Sequence, residues 1–208
     1  MNIKQLFSKI EQFPQMKSIL NQFEFGLEES KIQEIFQEKN LTPIQNLVDL
    51  YVWHNGSKSS RRVINDEETN SYQLEACFIP QIAFFNLDDC IEMYKSQLGT
   101  RYPINVEMTK FFTLSETMFP IMNGDYYINL DENSDKFGMI YTLDFMNSFE
   151  DIFPLVYDSL ENIFIVFIEC IEKGIFYFDT DNTLSIDYDK DGDEYDNILK
   201  KVNPKSYK

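Results

Sequence analysis

Basic residues are scarce in this chain: 18 Lys and Arg stand against 35 Asp and Glu, a formal charge of −17. So acidic a surface repels phosphate backbones and anionic lipid, so neither nucleic acid nor a membrane is an expected partner. Cysteine is also sparse. Cys77, Cys90 and Cys170 make an odd number with no CxxC spacing, which fits reduced thiols better than a disulfide framework or a zinc site. Long apolar runs are missing: the longest spans residues 163–168, against the roughly 20 needed to cross a bilayer. The opening MNIKQLFSKIEQF alternates apolar and polar residues and never builds the apolar run of about 7 or more of a secretory signal. A cytoplasmic location is expected.

Chemistry-bearing motifs are missing too. The sequence has one histidine, His54, beside its one tryptophan, Trp53. Histidine titrates near neutral pH, yet general acid–base catalysis needs a nucleophile or second carboxylate within hydrogen-bond reach. No motif supplies one, and G-x-S-x-G and H-E-x-x-H are absent. Gly124-Asp125-Tyr126-Tyr127 lacks the GK[ST] of a phosphate loop and leads into a strand, not a helix. The cysteines sit in apolar settings without adjacent Lys or Arg, as inert buried thiols do. Neither an enzyme nor a cofactor is expected.

What is present is enough apolar residue to build one core: 43% of 208 residues are hydrophobic, suiting a single domain. The first fifty residues read as helices. Ile32, Ile35 and Phe36 follow at i, i+3, i+4. Thr42-Pro43 offers an N-cap and a first-turn proline for a helix carrying Leu47, Leu50 and Tyr51, which Asn55-Gly56 ends. Trp53 and His54 are thus expected on its last turn, Trp53 in the core and His54 near the helix's negative end. Residues 56–71 are polar and read as an exposed loop. Asn86 caps a helix running to Gly99. Residues 110–114, 125–130 and 137–143 read as strands, the last two a hairpin around Asp131, Glu132 and Asp135. Asp158-Ser-Leu-Glu161 has the form of a capping box, opening a helix through Ile171 to Gly174. Residues 175–178 form a further strand. The sum is an α+β fold, with helices packed round a mostly antiparallel central sheet.

Residues 179–196 read as an acidic loop followed by a short helix at NILKK. Within it, Asp187, Asp189 and Asp191 with Gly192 match the first half of a calcium loop, but position 12 is Ile198 where a bidentate Glu is required. The acidic, tyrosine-bearing segment of Asp187, Tyr188, Asp189, Asp191, Asp193, Glu194 and Tyr195 reads better as a contact surface for a basic protein, together with the Asp131 turn. A solvated turn that only aids solubility is the plainer alternative.

Several blocks carry a resemblance. "FGLEESKIQEIFQEKN", "TPIQNLVDLYVWHNGS", "FFTLSETMFPIMNGDYYINLD", "SLENIFIVFIECIEKGIFYFD" and "KKVNPKSY" together resemble the SMI1/KNR4 family of the SUKH superfamily. Trp53, Asn55 and Gly56, with Gly124, Asp125 and Tyr126, are the most telling positions. Asn40-Leu41-Thr42-Pro43 departs from the pattern, where the family more often has a Gly-containing turn and Leu-Pro. The resemblance divides the chain into a helical extension over 1–24 and the family's domain over 25–208. It implies an α+β domain that is not an enzyme. Bacterial members are predominantly immunity proteins that bind and neutralise a polymorphic or contact-dependent toxin, often a nuclease. A constitutive cytoplasmic scaffold or regulatory domain is the alternative that the resemblance also allows.

Overall fold

The computed structural model describes residues 1–57, 77–80, 82–103, 111–122, 126–143, 154–180 and 183–207. Helices α1 (Ile3–Ile10) and α2 (Met16–Leu20) lead into strand β1 (Phe23–Phe25), then α3 (Glu29–Gln37), α4 (Gln45–Trp53) and β2 (His54–Ser57). Next come β3 (Cys77–Ile79), β4 (Ile82–Ala83), α5 (Leu87–Gln97), β5 (Arg101–Pro103) and β6 (Phe111–Thr113). The chain continues through β7 (Met118–Met122), β8 (Tyr126–Asn129), β9 (Ile140–Thr142) and β10 (Leu155–Tyr157). It ends with α6 (Leu160–Lys173), β11 (Phe176–Phe178), β12 (Leu184–Ile186) and α7 (Tyr188–Val202).

The fold is α+β, and every strand pair among the described residues is antiparallel. Among the described residues one four-stranded sheet has the order β10-β9-β8-β7, and four two-stranded pairs are separate from it. The sheet is therefore more divided than a single central one. Phe84 partly bridges the division, because its carbonyl accepts from the Ser57 amide at 2.8 Å and it pairs with Met122 on β7.

Helix α6 sits in the core because its apolar residues recur on more than one side; Leu160, Ile163, Phe164, Val166, Phe167, Ile168 and Cys170 are all buried. Gly174 ends it in the left-handed conformation, φ 71°, that glycine adopts without steric cost. Phe78 of β3 meets Phe164 and Phe167 of α6 edge-on and stacks on Phe23 of β1. Residues 1–24 contribute to this same core: Asn2 caps α1 through a capping box with Gln5, and Ile3, Leu6, Phe7 and Ile10 are buried.

Several local expectations are corrected. Thr42 and Pro43 do not cap α4, which starts at Gln45 with Ile44 as its uncapped flank. Buried Leu41 and core-packed Ile44 keep that segment extended. The same helix ends at Trp53, and His54 to Ser57 continue as strand β2 instead of a turn. Nor does Asp158 form a capping box. Ser159 occupies the cap position, while the Asp158 carboxylate accepts from the amides of Lys205 and Ser206 and from the Ser206 hydroxyl. Glu161 turns to the side-chain amide of Asn46. Phe23–Phe25 forms a strand inside the segment read as helical, because it pairs with β2. The expected loop over 58–71, and Gly124 and Asp125, lie outside the described residues.

The largest correction concerns the acidic segment. Residues 188–202 form one helix of 15 residues, with Asp187 as its N-cap accepting from the Lys190 amide. Aspartate has poor intrinsic helix propensity, but at the N-cap and first turn it satisfies free amides and the positive end of the helix dipole.

Candidate partner-binding surface

Helix α7 arranges its side chains by the 3.6-residue repeat. Ile198, Leu199, Tyr195 and Val202 turn inward onto the core, leaving Asp187, Tyr188, Asp189, Asp193 and Glu194 exposed. Over residues 187–196 there are six carboxylates and one lysine, so the formal charge of that stretch is 1 minus 6, or −5. Part of this charge is matched. Asp191 lies 3.3 Å from Lys190 Nζ, Glu194 lies 2.7 Å from Lys173 Nζ, and Asp196 lies 3.8 Å from Lys200 Nζ. Asp189 and Asp193 face no ion-pair or hydrogen-bonding partner among the described residues, although they stand one helical turn apart, where like charges repel.

The tyrosines of this region run from core to solvent. Tyr157 is fully buried, and it shares a hydroxyl hydrogen bond with Tyr195. Tyr195 was expected at the surface; instead it packs against Phe176 at 5.4 Å, because its position on α7 falls on the inward face. Tyr188 meets Tyr195 edge-on at 6.4 Å and is 61% exposed. Burial pushes the Tyr157 and Tyr195 hydroxyls well above the usual tyrosine range. Tyr126 opens β8 with its ring 6.4 Å from Tyr157.

The Asp131 turn is separate. It lies at the opposite end of β8 from Tyr126, across a strand of four residues, or roughly 13 Å. Asp131 is half-buried and shapes the turn, its carboxylate accepting from the Asn133 amide at 3.0 Å. Glu132 and Asp135 are exposed.

The Trp53-His54-Asn55-Gly56 stretch ties several elements together. The Trp53 indole stacks on Phe7 and donates to Glu11 at 2.7 Å. His54 Nδ1 lies 3.1 Å from the Glu24 carbonyl oxygen, across the β1–β2 pair. Asn55 joins three elements, donating to the Glu24 carboxylate at 3.0 Å and accepting from the Leu87 amide at 3.1 Å. Gly56 has φ 78°, and a β-carbon there would stand 2.2 Å from the Asn86 nitrogen. The cysteines are buried free thiols, and burial pushes those of Cys90 and Cys170 up to about 12.

The helical form of residues 188–196 rules out the wrapped-loop geometry of a calcium loop there. Among the described residues, no group of three or more His, Cys, Asp or Glu is placed to hold a metal ion. A groove between α1 and α6 is floored by Leu6, Ile165 and Ile168, but its rim charges are already matched, Lys9 with Glu172 and Lys173 with Glu194. No helix among the described residues is long and apolar enough to cross a membrane.

No protein-family profile matches the chain, and no curated protein matches it in sequence. What the chain can do is therefore argued from its surface.

Proposed function

We propose that this chain is a cytoplasmic immunity protein of the SMI1/KNR4 type, which neutralises a basic toxin domain by covering its working surface and catalyses nothing itself. The observation that carries the reading is the outer face of α7, where Tyr188 stands with Asp189 and Asp193, which have no ion-pair partner among the described residues, on a helix anchored to the core.

An inhibitor that must capture a toxin already inside the cell needs rapid association and slow release. Complementary charge raises association rates roughly 10- to 1000-fold at low salt. Tyr188, exposed on a rigid helix, supplies an anchor of the kind that dominates interface energies. Nuclease–immunity pairs reach dissociation constants near 10⁻¹³ M, so such a division of labour is sufficient for the task. The sequence blocks ending in Trp53-His54-Asn55-Gly56 and opening at Tyr126 supply the likeness to this class.

The test is co-purification with the C-terminal toxin domain encoded beside this gene, followed by stopped-flow association. Converting Asp187, Asp189, Asp191 and Asp193 to Asn should slow association about tenfold at low salt and flatten its salt dependence. A neighbouring gene without a toxin domain, or a toxin domain left active by excess protein, removes the reading.

A further inference from the structure

We infer that Asn55-Gly56 is a deamidation site gated by the fold: closed while strand β2 is in place, open when β2 comes loose, and a bar to refolding once it has reacted. The pair thus sets a chemical limit on the lifetime of every molecule that opens there, whatever the chain binds.

The reaction needs only the chain and water. The Gly56 nitrogen attacks the side-chain carbonyl carbon of Asn55; a new C–N bond forms, the side-chain amide bond breaks, and ammonia leaves with the proton. Water then opens the cyclic imide, giving aspartate when it cleaves the new C–N bond and isoaspartate when it cleaves the backbone one. Glycine hinders the attacking nitrogen least, because it has no side chain, and the chain holds two such pairs, Asn55-Gly56 and Asn123-Gly124. The fold can give up neither residue of the first. Asn55 both donates to the Glu24 carboxylate at 3.0 Å and accepts from the Leu87 amide at 3.1 Å, which an aspartate cannot do. Gly56 has φ 78°, and a β-carbon there would stand 2.2 Å from the Asn86 nitrogen.

Those same contacts close the site. Ring closure requires the Asn55 side chain to swing onto the Gly56 nitrogen, but both ends of its amide are held, the residue is 7% exposed, and Gly56 is wedged against the backbone of Phe85 and Asn86. Reaction therefore waits for a local opening of β2. The products cannot return to the fold. Aspartate puts a second acceptor where an amide donated to Glu24, so two carboxylates meet across a former hydrogen bond, one of them in a place shut from water. Isoaspartate routes the backbone through the side chain and lengthens β2 by one carbon, which breaks its pairing with β1 between Phe25↔His54 and Phe23↔Ser57.

The test holds the full chain in mildly alkaline buffer, folded and in urea, and locates deamidation by mass spectrometry of tryptic peptides, which separate Asn55 from Asn123. In urea the two asparagines should react at similar rates, so Asn123 there serves as the clock. In the folded protein Asn55 should react at least about 100-fold more slowly than in urea, because β2 opens rarely. Equal rates in the two conditions, or an Asn55 that stays intact in urea while Asn123 reacts, overturn the gate. Installing the product tests the bar to refolding. Asn55→Asp should lower Tm by about 10 °C or leave the chain unfolded. Adding Glu24→Gln restores one donor and one carboxylate across the same gap, and the double variant should recover most of the parent's Tm. A single Asn55→Asp variant as stable as the parent, or a double variant no better than the single, overturns the inference.

Discussion

The indole of Trp53 lies flat on the ring of Phe7, centroids 4.1 Å apart and planes 7° from parallel. That contact joins the end of α4 to α1, and the indole nitrogen fastens it by donating to Glu11. Trp53 is only half-buried, so its work is to hold one helix against another. Trp53→Ala should therefore cost about 3 kcal/mol, at the lower end for a large aromatic truncation, read from the urea midpoint. His54→Ala should change stability by about 1 kcal/mol or less, the usual net worth of one hydrogen bond, and leave partner binding intact. Loss of partner binding in folded His54→Ala protein would make this histidine functional after all.

Asn203 should be among the most sensitive polar positions. It is fully buried, accepts from the Asp158 amide and the Asn162 side chain at 3.0 Å each, and donates to the Leu199 carbonyl at 3.1 Å. Asn203→Ala leaves the half-buried Asp158 amide without its partner and takes one of two acceptors from the Asn162 side chain, while the Leu199 carbonyl keeps the Asn203 amide, so the change should cost about 2 kcal/mol in chemical denaturation. The last residues should also become cleavable by carboxypeptidase, because the Asp158 tie to Lys205 and Ser206 would loosen with it.

Two glycines should respond in opposite directions. At Gly56 a β-carbon meets the backbone of Phe85 and Asn86 at 2.2 to 2.5 Å, and φ is positive, so Gly56→Ala should destabilise by more than about 3 kcal/mol. At Gly192 the same atom meets only the Tyr188 ring at ordinary distance, inside a helix. Gly192→Ala should stabilise by roughly 0.5–1 kcal/mol, because alanine loses less backbone entropy there. Thermal unfolding of both variants decides the pair.

Which elements were legible follows from how their residues are held. Helix α6 shows in the sequence because a buried helix needs an apolar repeat, and the Asn86 cap shows because Asn86 accepts from the Asp89 amide three residues on. Strand β7 was hidden by Pro120, which reads as a strand breaker. It is tolerated beside the register shift between Pro120 and Met122, on an edge of the four-stranded sheet. Helix α7 was hidden by Gly192 and five aspartates, although Tyr188, Tyr195, Ile198, Leu199 and Val202 keep helical spacing and could have disclosed it. Asp158 matched a capping pattern, but its carboxylate serves residues 47 and 48 positions away, a partnership that no local spacing encodes. Likewise, exposure could be assigned to Tyr188 and Tyr195 only once the inward face of α7 was known.

Alkaline pH should unfold this protein, and the sign follows from its buried acids. Tyr157 and Tyr195 are pushed above the ordinary tyrosine value of 10.0, and Cys90 and Cys170 from 9.0 up to about 12, burial being the first cause in each. Each group stays neutral in the fold at a pH where the unfolded chain has already released its proton. Their contribution is thus fully present below the unfolded values and is lost as pH rises through them, from about pH 9 for the thiols and about pH 10 for the tyrosines. Between its unfolded and folded values each group lowers stability by about 1.4 kcal/mol per pH unit. The urea midpoint should hold level from pH 7 to 8.5 and then fall steeply. Tyr195→Phe removes one of these protons, so its midpoint should fall less between pH 10 and 11 than that of the parent. A parallel fall in both would mean that Tyr195 already ionises in the folded protein, and that the hydroxyl pair with Tyr157 is open to solvent.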